Sequence, residues 1–382
     1  IAHFLEHMFF KGTKKRPGSA IAQEVESFGG ELNAFTSFDY TCYYINSPKD
    51  NIIQSIEILM DMVSNPEFKE EDLIPEREVV FEEYKRALDN PSQYNFSQIM
   101  ENSFEGAYAH QILGNPQTIL NFSVKQLNDF RNSRYNIANS LLVVSGDFEL
   151  DKASQVIETY KMPEGKETHF PEFHLKKSSH LNIHTKDVKQ AVITYNWESP
   201  AYLSKESAAR DLALSCLAHG ESSRLYQYLV IQKKLINSLS ASTMFFAKGG
   251  IHFLRFSLPF ENIEKTMKEI ENFFHSIQTN PLLESEMSKI KNQYIASKIY
   301  EKESIESFSF SRGHGFAQNG DIHCEDKYIE TIASLSCHDV NHGLREILAT
   351  PNQVTLQVAD EFKKIIPSLR KKLSAHQKNL NI

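Results

Sequence analysis

Ala2-His3-Phe-Leu-Glu6-His7-Met-Phe-Phe-Lys-Gly-Thr13, directly after Ile1, is the stretch from which the rest of this 382-residue chain is read. On an α-helix, residues four apart stand one above the other, so the rings of His3 and His7 can meet one metal ion. Glu6, three residues after His3, shares their face. The order His-x-x-Glu-His inverts the helical His-Glu-x-x-His zinc motif, in which the glutamate handles the proton of a water and is not itself a ligand. A catalytic zinc takes three protein ligands, so one more has to come from elsewhere in the chain.

The segment Glu76-Arg-Glu-Val-Val-Phe-Glu-Glu83-Tyr-Lys-Arg-Ala-Leu88 offers it. Its pattern predicts a helix, with Val79, Val80 and Tyr84 among the apolar positions. Glu76 and Glu83 are seven apart and so lie on one face. An amphipathic helix ordinarily turns its carboxylates to water, which suits Glu78 and Glu82. It suits Glu83 less well.

Four signals now stand in a fixed order: the motif at residues 3 to 7, the following Phe-Lys-Gly-Thr, the stretch Gly29-Gly-Glu-Leu-Asn33-Ala34-Phe35-Thr36, and a glutamate at position 83. Together they resemble the pitrilysin/insulinase family, which includes the mitochondrial processing peptidases. That resemblance implies a zinc metalloendopeptidase with one zinc ion (Zn2+) per chain. By it His3, His7 and Glu83 are the zinc ligands, Glu6 the general base, and Glu76 a carboxylate that orients a ligand. It makes Asn33, Ala34, Phe35 and Thr36 an exposed edge strand on which an extended or unfolded peptide is added as a further strand. A non-catalytic structural subunit of the same family is the alternative.

The resemblance also implies the fold class: α+β, two homologous domains, each a mostly antiparallel sheet covered by helices. Family members open with a pair of strands ahead of the metal motif, so the chain reads as truncated at its N-terminus, and localisation is not legible.

Composition agrees with a globular enzyme, at 41% hydrophobic and 24% charged residues. A net charge of −8 leaves no basic surplus to neutralise phosphates, which argues against nucleic acid as a partner. No run of 18 apolar residues exists to span a membrane. Cys42, Cys216, Cys324 and Cys337 have no metal-finger spacing, and the pairs His323-Cys324 and Cys337-His338 read more readily as small buried cysteines than as a second metal site.

In chain order, helices are expected over residues 2–10 and 19–28, the second with Ser19 as N-cap and Gly29-Gly30 as its stop. Two strands are expected around Ser37-Phe38-Asp39, then a helix through Ile52, Ile56, Leu59 and Met62 ending at Asn65-Pro66. Leu141-Leu-Val-Val-Ser-Gly-Asp147 reads as a buried strand closing the first sheet. The division is then a zinc-binding domain over 1–160, a linker over 161–180 rich in proline and charge, and a metal-free domain over 181–382.

The halves repeat each other. Pro48-Lys-Asp-Asn51 before a helix ending Asn65-Pro66 is matched by Pro259-Phe-Glu-Asn262 before a helix ending Asn280-Pro281, with Asn51 and Asn262 offset by 211 residues. Next, Glu71-Asp-Leu73 stands against Glu284-Ser-Glu-Met287, and with Leu73 set on Met287 Glu83 falls on Ser297 and Glu76 on Ile290, so the second copy has lost the ligands.

The family resemblance extends to Gly220-Glu-Ser-Ser-Arg224-Leu-Tyr-Gln-Tyr-Leu-Val230. Where relatives that complete their own site carry an Arg and, seven residues on, a Tyr, this chain has Val230 and Asn237. Neither offers the cationic fork or the hydroxyl that would hold a substrate carbonyl as it gains charge. The implied partner is a metal-free homologous subunit in a heterodimer, with a homodimer as the alternative.

Overall fold

The first half of the chain forms α1 (Ala2–Phe9), α2 (Ala20–Ser27), β1 (Glu31–Thr36), β2 (Thr41–Asn46), α3 (Ile52–Ser64), α4 (Glu70–Asp89), α5 (Pro91–Ser103), β3 (Phe104–Glu105), α6 (Pro116–Asn121), α7 (Val124–Arg134) and α8 (Leu150–Thr159). The second forms β4 (His174–Leu175), β5 (His180–Thr185), β6 (Ala191–Ser199), α9 (Lys205–Ala218), β7 (Ser238–Phe246), β8 (Gly249–Leu258), α10 (Ile263–Ile277), α11 (Glu284–Glu301), α12 (Ile305–Asn319), α13 (Cys324–Ser334), α14 (Cys337–Ala349), β9 (Gln353–Val358) and α15 (Ile366–Lys378). This computed structural model describes residues 1–176, 180–349 and 353–378, so 177–179 of the expected 161–180 linker lie outside the described residues.

Two compact units emerge. The first comprises Ile1–Asp89, His110–Phe170 and Glu303–Ile322; the second comprises Asn90–Ala109, Pro171–Lys302 and His323–Ile382. Helix α5, in the first half of the sequence, thus belongs to the second unit, while α12, which follows α11 as α5 follows α4, belongs to the first.

In the first unit, Phe4, Leu5, Met8 and Phe9 of α1 are almost wholly buried and meet Ile21, Val25, Ile58, Met62, Leu73, Val80 and Leu127 in one core. Each such side chain contributes roughly 1.5–3 kcal/mol on leaving water, enough together to hold an eight-residue helix that would not persist alone. Ser19 occupies the N-cap of α2 without a side-chain capping bond. Strands β1 and β2 pair antiparallel, from Glu31 opposite Asn46 to Thr36 opposite Thr41. Leu32, Tyr43 and Ile45 point from this ribbon onto the core.

The turn leaving α1 explains why Phe-Lys-Gly-Thr follows the metal motif. Gly12 has φ +110°, and a Cβ there would meet the carbonyl oxygen of Arg16 at 2.5 Å. Thr13 Oγ1 donates to Asp61 at 2.7 Å and accepts from the backbone N–H of Arg16 at 2.9 Å. Arg16, 5% exposed, reaches Asp61, 2% exposed, at 3.0 Å and Glu24 at 2.6 Å, joining the turn to α3 and α2.

The second unit carries a five-stranded sheet in the order β5-β9-β6-β8-β7, antiparallel except for the β5–β9 pair. Tyr195, Trp197, Leu254, Phe256, Val354 and Leu356 pack from it onto the helices. His184 lies on β5. The repeat is visible element by element: β7, β8, α10 and α11 follow in the order β1, β2, α3 and α4, and Ile290 of α11, in the place of Glu76, is buried among hydrophobic neighbours.

One expected strand does not form. Residues 141–147 belong to no strand, and Leu141 and Leu142 are exposed. Their counterpart β9 is a strand because β5 and β6 flank it, and among the described residues the first unit has no counterpart of either. A strand is made by its neighbours, and an apolar run without them remains extended coil.

Removing one partner of a buried ion pair strands the other, so Arg16→Ala should lower the unfolding free energy by about 3–5 kcal/mol in urea titration. Lys15→Ala removes only a solvent-exposed contact to Glu57 and should cost under about 1 kcal/mol.

Candidate metal centre

Helix α4 runs from Glu70 through Pro75 to Asp89, and its stripe Leu73, Glu76, Val80 and Glu83 faces inward. Leu73 and Val80 are fully buried and Glu76 is 4% exposed, so two carboxylates sit in what is otherwise an apolar stripe. Val79, expected among the apolar contacts, is instead 48% exposed, because it points about 100° away from Val80 round the helix.

Against this stripe lies the buried face of α1. His3 Nε2 is 3.5 Å and His7 Nε2 is 3.3 Å from the same oxygen, Glu83 Oε2. The two rings are 4.8 Å apart, centre to centre. Zinc binds such nitrogen and oxygen ligands at about 2.0–2.2 Å, so a tetrahedral ion spaces them about 3.3–3.6 Å from one another. The distances to Glu83 fit. Two imidazoles and one carboxylate also form the donor set of a catalytic zinc, which keeps a fourth position open. Among the described residues, these three form the one group of His, Cys, Asp and Glu that can hold a metal. Cys324 is buried and the half-buried Cys337 donates its thiol to the Leu282 carbonyl, so neither joins a second site.

The surroundings fix the orientation. Glu76 Oε1 lies 2.7 Å from His7 Nδ1, and its other oxygen pairs with Lys11 Nζ. With Nδ1 so engaged, Nε2 is the nitrogen turned to Glu83. Nδ1 of His3 is buried without a hydrogen-bond partner. Glu6, 8% exposed, accepts a 2.5 Å hydrogen bond from Thr36 Oγ1 at the end of β1.

Without metal the cluster holds protons unevenly. Burial works against charge on His7, but the carboxylates of Glu76 and Glu83 outweigh it and raise its pKa to about 9. The imidazoles of His3 and His7 hold Glu83 well below the usual carboxylate range. Burial alone would raise Glu76, yet His7 and Lys11 draw it below its ordinary value.

The structure therefore brings together His3, Glu6, His7, Glu76 and Glu83, and places Asn33 to Thr36 on a strand whose second edge pairs with no strand among the described residues. Val230 lies half-buried in a π-helical turn, Tyr226–Gln232, against the core of the second unit, and Asn237 is exposed. Two contacts escaped the sequence reading. Lys11 has only its place in Phe-Lys-Gly-Thr to suggest a role, and the bond from Thr36 to Glu6 spans 30 residues with no local signal.

Residues 1–117 match the model of the insulinase family (peptidase family M16), and residues 121–294 match that of the peptidase M16 inactive domain. An uncharacterised zinc protease of Rickettsia felis is 27% identical over 359 residues, 92% of this chain and 85% of that protein. The beta subunit of the mitochondrial-processing peptidase of Dictyostelium discoideum is 33% identical over 213 residues, 55% of this chain and 41% of that protein. The crystal structure of a protease from Helicobacter pylori shares the fold, with a TM-score of 0.83 at 24% identity over 94% of this chain and 89% of that one.

His7 binds its proton more tightly in the folded protein than in the unfolded chain, whose histidine pKa is about 6.5. Its contribution, about 3 kcal/mol, is complete below that pH and is lost as pH rises through about 9. Chelated protein should accordingly lose thermal stability across that window, and His7→Gln should flatten the profile. A metal ion on Nε2 must displace the proton, so calorimetry of zinc uptake near neutral pH should register proton release.

Proposed function

This chain belongs to the insulinase family, peptidase family M16, and from that premise we propose that it is a zinc-dependent endopeptidase acting on extended or unfolded peptides. What carries the reading is the convergence of His3 Nε2, His7 Nε2 and Glu83 Oε2, with Glu6 on the same short helix. These three residues hold the zinc, and Glu76 with Lys11 keeps His7 turned toward it. Bound zinc supplies a Lewis acid for the scissile carbonyl and lowers the pKa of water to about 7. Glu6 takes the proton of the attacking water and delivers it to the leaving amine. Thr36 fixes one oxygen of Glu6, which leaves the other for that proton.

The free edge of β1 receives the substrate by main-chain pairing, as an added strand. A chain already folded has its backbone groups committed elsewhere and cannot pair.

The catalytic group missing at Val230 and Asn237 comes from a metal-free homologous subunit. Of the nearby groups that could substitute, Arg224 reaches both oxygens of Glu286 at 2.6 Å and the Tyr228 hydroxyl is hydrogen-bonded to Glu269, which leaves Tyr226 as the alternative to a partner's group.

Three measurements check this. Glu6→Gln should keep zinc and lose peptide cleavage by about 10²–10⁴-fold, whereas Glu83→Gln should lose the zinc itself; undiminished cleavage by Glu6→Gln contradicts the assignment. An unfolded substrate should be cut and its folded form spared, with proline beside the scissile bond blocking the cut; equal cleavage of both forms argues against strand addition. The chain alone should bind zinc yet turn over about 10²–10³-fold more slowly than with its partner subunit; full activity in a pure homodimer rules the partner out.

A further inference from the structure

The β1–β2 ribbon has two faces, and only one rests on the core described above. Leu32, Ala34 and Thr36, with Thr41, Tyr43 and Ile45, form the face toward α1. Asn33 and Phe35, with Cys42 and Tyr44, form the other, and there the ribbon meets α12 within the first unit. The Phe310 ring stands edge-on to Tyr44 at 4.9 Å and to Phe35 at 5.8 Å. At the turn joining the strands, His314 Nδ1 lies 3.0 Å from the Tyr40 hydroxyl, and Gln318 Nε2 donates to Asp39 Oδ2 at 2.6 Å. The residues at 310, 314 and 318 are four apart, so one face of α12 supplies all three contacts.

A two-stranded ribbon is marginal by itself, and no strand of this one is fully buried. Its end nonetheless carries two demands under the proposed function. Thr36 must stay on Glu6, and the outer edge of β1 must hold still while a peptide pairs along it. The core sets the height of the ribbon through Leu32, Tyr43 and Ile45. It leaves the turn at Ser37 to Tyr40 to be fixed from the other side.

Resting on that reading, we propose that α12 is a positioning element of the peptide site, clamping the β1–β2 ribbon through Phe310, His314 and Gln318 so that Thr36 stays on Glu6 and the edge of β1 stays open to substrate. The clamp contacts fall on Phe35, Asp39, Tyr40 and Tyr44, none of which is a proposed zinc ligand, so zinc content and ribbon position can be read separately. The helix comes from the half of the sequence that lost the ligands, and this gives that half a part in the chemistry of the other.

The experiment uses the full chain loaded with zinc, together with whatever partner its activity requires. Phe310→Ala and His314→Ala are compared with Phe316→Ala, a control on the exposed side of the same helix. Zinc content, thermal unfolding, kcat and KM for an unfolded peptide, and hydrogen exchange of the 31–36 amides are recorded for each. The two clamp variants should keep their zinc and unfold as the control does, while kcat/KM falls about tenfold to hundredfold, chiefly through KM, and the 31–36 amides exchange faster. Phe310→Leu should restore most of the loss, since it refills the space between Phe35 and Tyr44. Unchanged kcat/KM or unchanged exchange in the clamp variants overturns the proposal, and so does a loss matched by Phe316→Ala. Wild-type protein that carries zinc and cleaves nothing overturns the proposed function instead, and the exchange measurement then decides the clamp by itself.

Discussion

A buried carboxylate must be paired, and Glu76 is the one on which this site depends. At 4% exposure it can stay ionised only because His7 Nδ1 and Lys11 Nζ both meet it. That pairing turns the other nitrogen of His7 toward Glu83, where His3 already points. Two helices distant in sequence are thereby held in one register, and the register is also the geometry of a metal site. The same groups that would repel or strand one another singly are mutually satisfied as a set.

Everything nearby serves to keep α1 in that register. Four apolar side chains anchor it below, and the Gly12 turn swings the chain back so that Thr13 and Arg16 lock onto Asp61 of α3. On the far side, Thr36 carries the ribbon to Glu6. The proposed base, ligands and docking edge are thus tied to one eight-residue helix, and each tie is a contact over many residues of sequence. A short helix can be placed so closely only because its surroundings, not its own propensity, hold it.

Much of this was legible in the sequence, for definite reasons. A spacing of four puts His3 and His7 together, and a spacing of seven puts Glu76 and Glu83 on one stripe. The repeat exposed the second half as a copy without ligands. What stayed hidden depends on partners. The run at 141–147 has the composition of a strand but no neighbours to pair with. Val79 and Val80 are alike in composition, and only the packing of α4 decides which is buried. The contacts of Lys11, Thr36 and α12 join residues 30 to 279 positions apart, and nothing local announces them.

The most direct measurement is X-ray absorption at the zinc edge on protein reconstituted with one equivalent of zinc. The expected spectrum contains only nitrogen and oxygen scatterers at about 2.0–2.2 Å, with the outer-shell pattern of two imidazoles and no sulfur. Scattering from sulfur at about 2.3 Å, or the pattern of a single imidazole, would place the metal elsewhere and contradict the site formed by His3, His7 and Glu83.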